Sequence, residues 1–337
     1  MDPRSLASPD VRLAAEAMRF PVPFAPRNAA MLAGKLAIAA AVLWVLAERL
    51  DLRMLSESFA SAFTLPLATA ALLVLPNVAL QHAKWRLLLR RAAPGLRHRD
   101  VARSLFAGFA LGLVTPARAG EFGGRAFTLP GNDRAAIAGL TATDKLASMI
   151  VTLAAGIGAG AWYIAILGSF STALAAGIAA AAVMAAGIAA GVFLLRRRIV
   201  FADRDGRVAR VLRRALEAMR SLSRRDLALL LGLSAAFYAV FIAQFVLLLL
   251  AFGAGPLPSC VAGAATVMLL KTVIPPLTFG ELGIREGVAV FVLAPLHVAG
   301  PAAFNASLIL FLINVLLPAA AGTVLLLLYS DRHRAAQ

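Results

Sequence analysis

Pro116-Ala117-Arg118-Ala119-Gly120-Glu121-Phe122-Gly123-Gly124-Arg125 reads P-x-x-x-G-E-x-G-x-R, and Pro276-Leu277-Thr278-Phe279-Gly280-Glu281-Leu282-Gly283-Ile284-Arg285 repeats that pattern in the other half of the chain. None of the five matched positions is Ala or Leu, so bulk composition does not generate the match. Both copies interrupt apolar sequence. Helix breakers and charges are costly there, and a duplicated cost points to a duplicated task.

The 337 residues are 61% hydrophobic, against about 45–50% for a soluble domain. The mean hydropathy is +0.84. Several stretches reach the roughly 18 apolar residues that cross a bilayer. The chain therefore reads as an all-α polytopic membrane protein. Its net charge of +16 sits in loops beside the apolar runs, where the positive-inside rule expects it. Anionic lipid head groups, rather than nucleic acid, are the expected partners.

Residues 1–28 read as a cytoplasmic tail, with a short amphipathic stretch over 9–20 and no secretory h-region. The transmembrane domain is placed at 29–330, and residues 331–337 form a second cytoplasmic tail. Spans are expected at about 30–47, 59–81, 135–166, 171–195, 227–251 and 303–328. A cationic loop is expected over 84–103, and a second over 196–225 with an interfacial helix inside it.

Residues 104–115 are too short to cross, and Pro116 with its glycines breaks them. They read as a re-entrant hairpin. Residues 259–275 and 286–299 flank the second motif as another. The count is six spans and two broken-helix hairpins. Three crossings per half make the halves (about 30–166 and 171–328) an inverted repeat.

Each motif position has a physical reading. Proline stops the incoming half-helix. Gly120, Gly123, Gly280 and Gly283 permit a reversal and close backbone approach. Glu121 and Arg125, like Glu281 and Arg285, stand four apart and share a helix face. Hairpins entering from opposite leaflets would bring Arg125 and Arg285 to one cavity suited to a phosphate. The opposing reading is two self-neutralising pairs that pin turns.

Arg118, found in the first copy alone, reads either as a head-group contact or as a snorkelling side chain. Asp144 and Lys145 are neighbours on the 135–166 span and need separate partners. Asn314, Asn305 and Gln244 read as polar residues that bond across helices. Cys260 is a lone cysteine and reads as a packing residue. The four histidines lack metal-ligand spacing, and no P-loop or nucleophile elbow occurs. No enzyme, metal or cofactor is expected.

The same motifs resemble those of the lysylphosphatidylglycerol synthase transmembrane, or flippase-like, family. Pro116 to Arg125 is similar to its first signature. Gly283, Arg285, Glu286 and Gly287 match its second, which places Glu286 among the expected site residues. Ala83-Lys84-Trp85-Arg86 and Pro318 to Gly322 also look family-like. Two departures stand out: Asp144-Lys145 with Ser148 where the family often carries Glu-Arg and a later Asp, and Asn314 where Arg is common. The resemblance covers roughly residues 30–330 and implies lipid movement between leaflets of the bacterial inner membrane, by a stand-alone member without the aminoacyl-transferase domain. The alternative is a non-transporting scaffold for a membrane-bound lipid or glycan glycosyltransferase.

Overall fold

The computed structural model describes residues 53, 57, 58, 60–115, 118–129, 131–168, 172–196, 207–274 and 282–334. The expected tail and first span, and Pro116, Pro276, Gly280 and Glu281 of the motifs, lie outside the described residues. Among those described, the regular structure is helical throughout.

In chain order the helices are α1 (Thr64–Leu72), α2 (Val74–Ala92), α3 (His98–Val114), α4 (Gly120–Phe127), α5 (Arg134–Leu167), α6 (Thr172–Arg196), α7 (Arg207–Arg220), α8 (Arg224–Ala251), α9 (Leu257–Val273), α10 (Ile284–Leu293), α11 (Gly300–Phe311) and α12 (Leu317–Arg334). Four stretches are long and apolar enough to cross a membrane: Thr64–Arg90, Arg134–Leu167, Arg224–Ala251 and Gly300–Leu328. Leu174–Ile188 and Leu257–Val273 are shorter apolar helices. Large apolar side chains such as Leu65, Val183 and Leu327 are more than half exposed, as a lipid-facing surface requires.

Local chemistry fixes the helix boundaries. Asp133 caps α5 by accepting from the Ala135 and Ala136 N–H groups at 2.9 and 3.4 Å. Ser223 and Asp226 form a capping box at the start of α8. Gly168 closes α5 at φ 61°, a left-handed turn that glycine adopts without strain.

One expectation is corrected. The cationic loop over 84–103 is mostly helix, because α2 runs on to Ala92 and α3 begins at His98. Lys84 is 3% exposed and lies inside the bundle. The loop rule misplaced it because a lysine with a buried carboxylate partner need not reach the interface. The last span runs from Gly300 to Leu328 as expected, with one local widening. A π-helical turn, Leu312–Leu316, separates α11 from α12 and places Asn314 at its centre. Such wide turns are inserted residues that re-aim their neighbours, and they recur at functional sites.

Two larger hydrophobic cores organise the bundle, beside a small cluster of Leu153, Ala181 and Leu269. One gathers Trp85, Leu88, Leu105, Phe109, Ile137, Leu140 and Leu230. The other gathers Tyr163, Phe245, Leu248, Cys260, Val292, Leu293 and Leu310. α5 and α8 contribute their N-terminal ends to the first and their C-terminal ends to the second, so they run parallel. Leu230 and Leu248 are separated by about 27 Å of helix. The cores therefore lie at opposite ends of the bundle.

Each core holds the base of one hairpin. The α3–α4 hairpin is rooted in the first and the α9–α10 hairpin in the second. The returning arms are only about 12 Å (α4) and 15 Å (α10) long, well short of the roughly 30 Å hydrocarbon layer. Neither arm is long enough to cross that layer by itself.

The α3–α4 packing depends on missing side chains. A Cβ on Gly120 would collide with the Leu111 carbonyl oxygen, and one on Gly124 would stand 2.5 Å from that of Ala107. Gly124→Ala is expected to cost roughly 1–3 kcal/mol by overpacking. Gly158→Ala, where the new methyl meets nothing within 4 Å, should not destabilise the protein. Thermal unfolding of both variants in detergent checks this, and equal melting would refute the tight-crossing account.

Candidate functional site

Six charged side chains form one network at the inner start of α4. Thr115 sets the reversal that leads into it. Its hydroxyl accepts from the Gly120 N–H at 2.6 Å and donates to the Leu111 carbonyl at 2.8 Å. The end of α3 is thereby stapled to the start of α4. Glu121 and Arg125 then project, one turn apart, towards α3 and α5. Gly108 and Gly112 make room for them. A Cβ at Gly108 would stand 2.8 Å from Arg125 Cγ, and one at Gly112 would stand 2.5 Å from Glu121 Cγ.

The inner part of the network is buried. Asp144 takes Lys84 on one oxygen at 2.8 Å and Arg125 on the other at 2.9 Å. Lys84 Nζ also donates to Ser148 Oγ at 2.6 Å and stands 5.4 Å from the centre of the Phe237 ring. The Arg125 guanidinium lies over Trp85, 4.6 Å from its ring centre. Trp85 Nε1 donates to Ser104 Oγ (3.1 Å), and that hydroxyl donates to the Arg125 carbonyl (2.8 Å). Arg125 is thus fixed at both its backbone and its head.

The outer part is more open. Glu121 is buried, yet it pairs with Arg118 Nε at 2.6 Å and Lys145 Nζ at 2.7 Å. The side chains of Arg118 and Lys145 are 31% and 35% exposed. Arg125 approaches Glu121 only to 3.7 Å. Lys84, Arg118, Arg125 and Lys145 therefore face two carboxylates, Glu121 and Asp144, leaving positive charge in excess among the described residues. In a water-poor setting such an excess attracts anions strongly.

The second cluster differs. Gly283, at φ 86°, occupies the cap of α10, and its N–H donates to Glu286 Oε2 at 2.6 Å. Arg285 reaches Glu286 Oε1 at 3.3 Å and Ser307 Oγ at 3.2 Å. Ser307 Oγ in turn donates to Glu286 Oε1 at 3.2 Å. The guanidinium carbon lies 5.5 Å from the Phe311 ring centre. Among the described residues this cluster pairs one cation with one carboxylate.

The structure thus brings together Arg118, Gly120, Glu121, Arg125, Asp144 and Lys145, with Gly123 on the open side of α4 near Phe127. It groups Gly283, Arg285 and Glu286 elsewhere. No hydrogen bond or ion pair joins the two clusters among the described residues. Asp144 and Lys145 do find separate partners, Arg125 and Glu121 respectively. The Glu121–Arg125 pair of the motif is the longest contact of the set. Asn314 donates to Leu310 on its own helix rather than across to another. Gln244 does bond across helices, accepting from Asn77 at 3.3 Å and donating to the Ala70 carbonyl at 3.0 Å.

Sequence reasoning missed Lys84, Trp85 and Ser104 as parts of the site. A signal for Lys84 existed: Asn77, Gln81 and Lys84 form a polar stripe at helical spacing on an apolar helix. No curated protein matches the chain. The model of the lysylphosphatidylglycerol synthase TM region matches residues 32–322, which takes in both motifs and every residue of both clusters, and the chain belongs to that family.

Proposed function

We propose that this protein moves an anionic lipid, a phospholipid or a polyprenyl-phosphate-linked head group, between leaflets of the bacterial inner membrane, with both termini cytoplasmic. One observation carries the reading: among the described residues, an ion network with a buried inner part and more cations than carboxylates, built around the short helix α4 inside an apolar bundle. Intramembrane charge of this kind is costly and marks a substrate path. Arg125 and Lys84 fix the inner charge, while Arg118 and Lys145 offer the exposed cationic heads. A groove of about 410 Å³ along α2, α3 and α12, lined by Val74, Val78, Leu105, Phe106 and Pro318, supports the reading as a seat for hydrocarbon.

The test is head-group-resolved lipid flipping by purified protein in proteoliposomes, with and without a proton gradient. Acceleration of an anionic lipid over a zwitterionic one is the expected result. Equal rates with and without protein, for every head group, would sink the reading. The scaffold reading rests on α7, whose Arg210, Arg213 and Arg214 are exposed on the surface. Replacing these three by glutamine should leave flipping within about twofold. A scaffold would instead lose its membrane partner in a pull-down.

A further inference from the structure

Glu121 holds a position that its pairing with Arg125 does not explain. Arg125 already has a close carboxylate in Asp144, at 2.9 Å, and reaches Glu121 only at 3.7 Å. The two short contacts of Glu121 are with Arg118 and Lys145, whose side chains are about one-third exposed. They come from different elements, the turn before α4 and the middle of α5. A carboxylate gripped between two partly exposed cations has the contacts an incoming anion would have. Gly112 supplies the slot that lets the Glu121 stem lie there.

The backbone adds a second observation. Arg118 has φ 56°, a left-handed conformation that costs a non-glycine residue about 1 kcal/mol or more. It is held on Glu121 by the 2.6 Å contact. The Arg118 N–H donates to the Thr115 carbonyl at 3.3 Å, so the turn holds its backbone and the guanidinium can change partner without unmaking the turn.

We propose that the Glu121 carboxylate is a built-in stand-in for the substrate phosphate, seated between Arg118 and Lys145 and displaced when a phosphate anion arrives. This rests on the anion-site reading above and deepens it. The occupant is a phosphate group, whether on a lipid or free. Glu121 competes with it, which lowers the positive charge of the empty site and limits how tightly any phosphate is held. A mover of lipids gains from that limit, because a substrate bound too tightly is not released.

The competition fixes the sign of a test. Removing an internal competitor raises apparent affinity by the factor by which it had been occupying the seat. A residue that merely orients cations does the opposite when removed. Wild type, Glu121→Gln and Lys145→Gln are placed in nanodiscs of phosphatidylcholine. One arm is titrated with inorganic phosphate, and the other uses discs doped with phosphatidylglycerol and counts bound lipid by native mass spectrometry. Glu121→Gln is expected to bind one or both probes about tenfold more tightly than wild type. Lys145→Gln should bind more weakly. The arm that responds tells lipid phosphate from free phosphate.

Melting temperature guards against a folding artefact. Glu121→Gln should melt below wild type without phosphate and recover part of the loss when phosphate is added. Unchanged or weaker binding by Glu121→Gln in both arms overturns the proposal, as does a loss of stability that phosphate does not rescue. The outcomes separate from those of the transport reading. A wild type that flips no lipid leaves a tightened Glu121→Gln variant, and this inference, intact. A wild type that flips lipid while Glu121→Gln binds weakly overturns this inference and leaves transport standing.

Discussion

Asp144→Asn is expected to yield little folded protein. Asp144 is the carboxylate that both Lys84 and Arg125 contact directly, at 2.8 and 2.9 Å, and Lys84 and Arg125 are themselves buried. Amide replacement keeps the shape and removes the charge, leaving two buried cations without their counter-ion. Breaking a buried pair by removing one partner costs about 3–5 kcal/mol. Here two pairs share the lost partner, so the upper end applies. Glu121 cannot substitute, since it stands 3.7 Å from Arg125 and is engaged with Arg118 and Lys145.

Fluorescence-detected size exclusion and thermal unfolding in detergent read the effect. The companion variant Lys84→Met with Asp144→Asn removes one cation with the carboxylate. It should regain a measurable part of the loss, because the two sites are coupled through one contact. A single Asp144→Asn variant that melts like wild type would show that the network does not hold the fold. The site would then have to be rebuilt without it.

The parts of this molecule that were legible in the sequence obey periodic rules. Apolar length gives the spans, and the run from Arg224 to Ala251 declares itself by composition alone. The break between α3 and α4 was legible because Pro116 and the glycines after it interrupt the apolar run 104–115. The charges of the first motif were legible because each is expensive where it stands.

Pairing was not legible. Sequence spacing joins Glu121 to Arg125, four residues on, and the folded protein gives each a closer partner from another element. Those partners depend on which way α5 is rotated against α4, and the spacing of one helix carries no record of that. Lys84 illustrates the same limit from the other side. A lysine near the end of a span is assigned to the interface by charge rules, yet this one points inward because Asp144 waits there. The π-turn at Leu312–Leu316 is a third case. The inserted residue leaves the apolar pattern unbroken, so only the backbone reveals it.

Arg125→Ala is expected to fold and to lose transport. Its removal, unlike that of Asp144, leaves no carboxylate alone: Asp144 keeps Lys84, and Glu121 keeps Arg118 and Lys145. The structural loss is the guanidinium stack on Trp85 and a cavity beside Gly108, which together should cost a few kcal/mol at most. The functional loss is larger. Arg125 is the cation fixed by its backbone, by Asp144 and by an aromatic face, so it is the preorganised charge of the network. Stripping such a charge from a water-poor site typically costs a hundredfold or more in rate, about 2.7 kcal/mol. Anionic-lipid flipping by Arg125→Ala in proteoliposomes should therefore fall by about that factor, with its elution profile unchanged. Arg125→Lys keeps the charge without the planar fork and should fall between the two. The Arg285→Ala variant provides the contrast. Its arginine is bound to Glu286 and Ser307, so its removal takes a cation from the buried Glu286 and should lower stability before it alters lipid selectivity. Wild-type flipping by a well-folded Arg125→Ala variant would remove the first hairpin from the transport path.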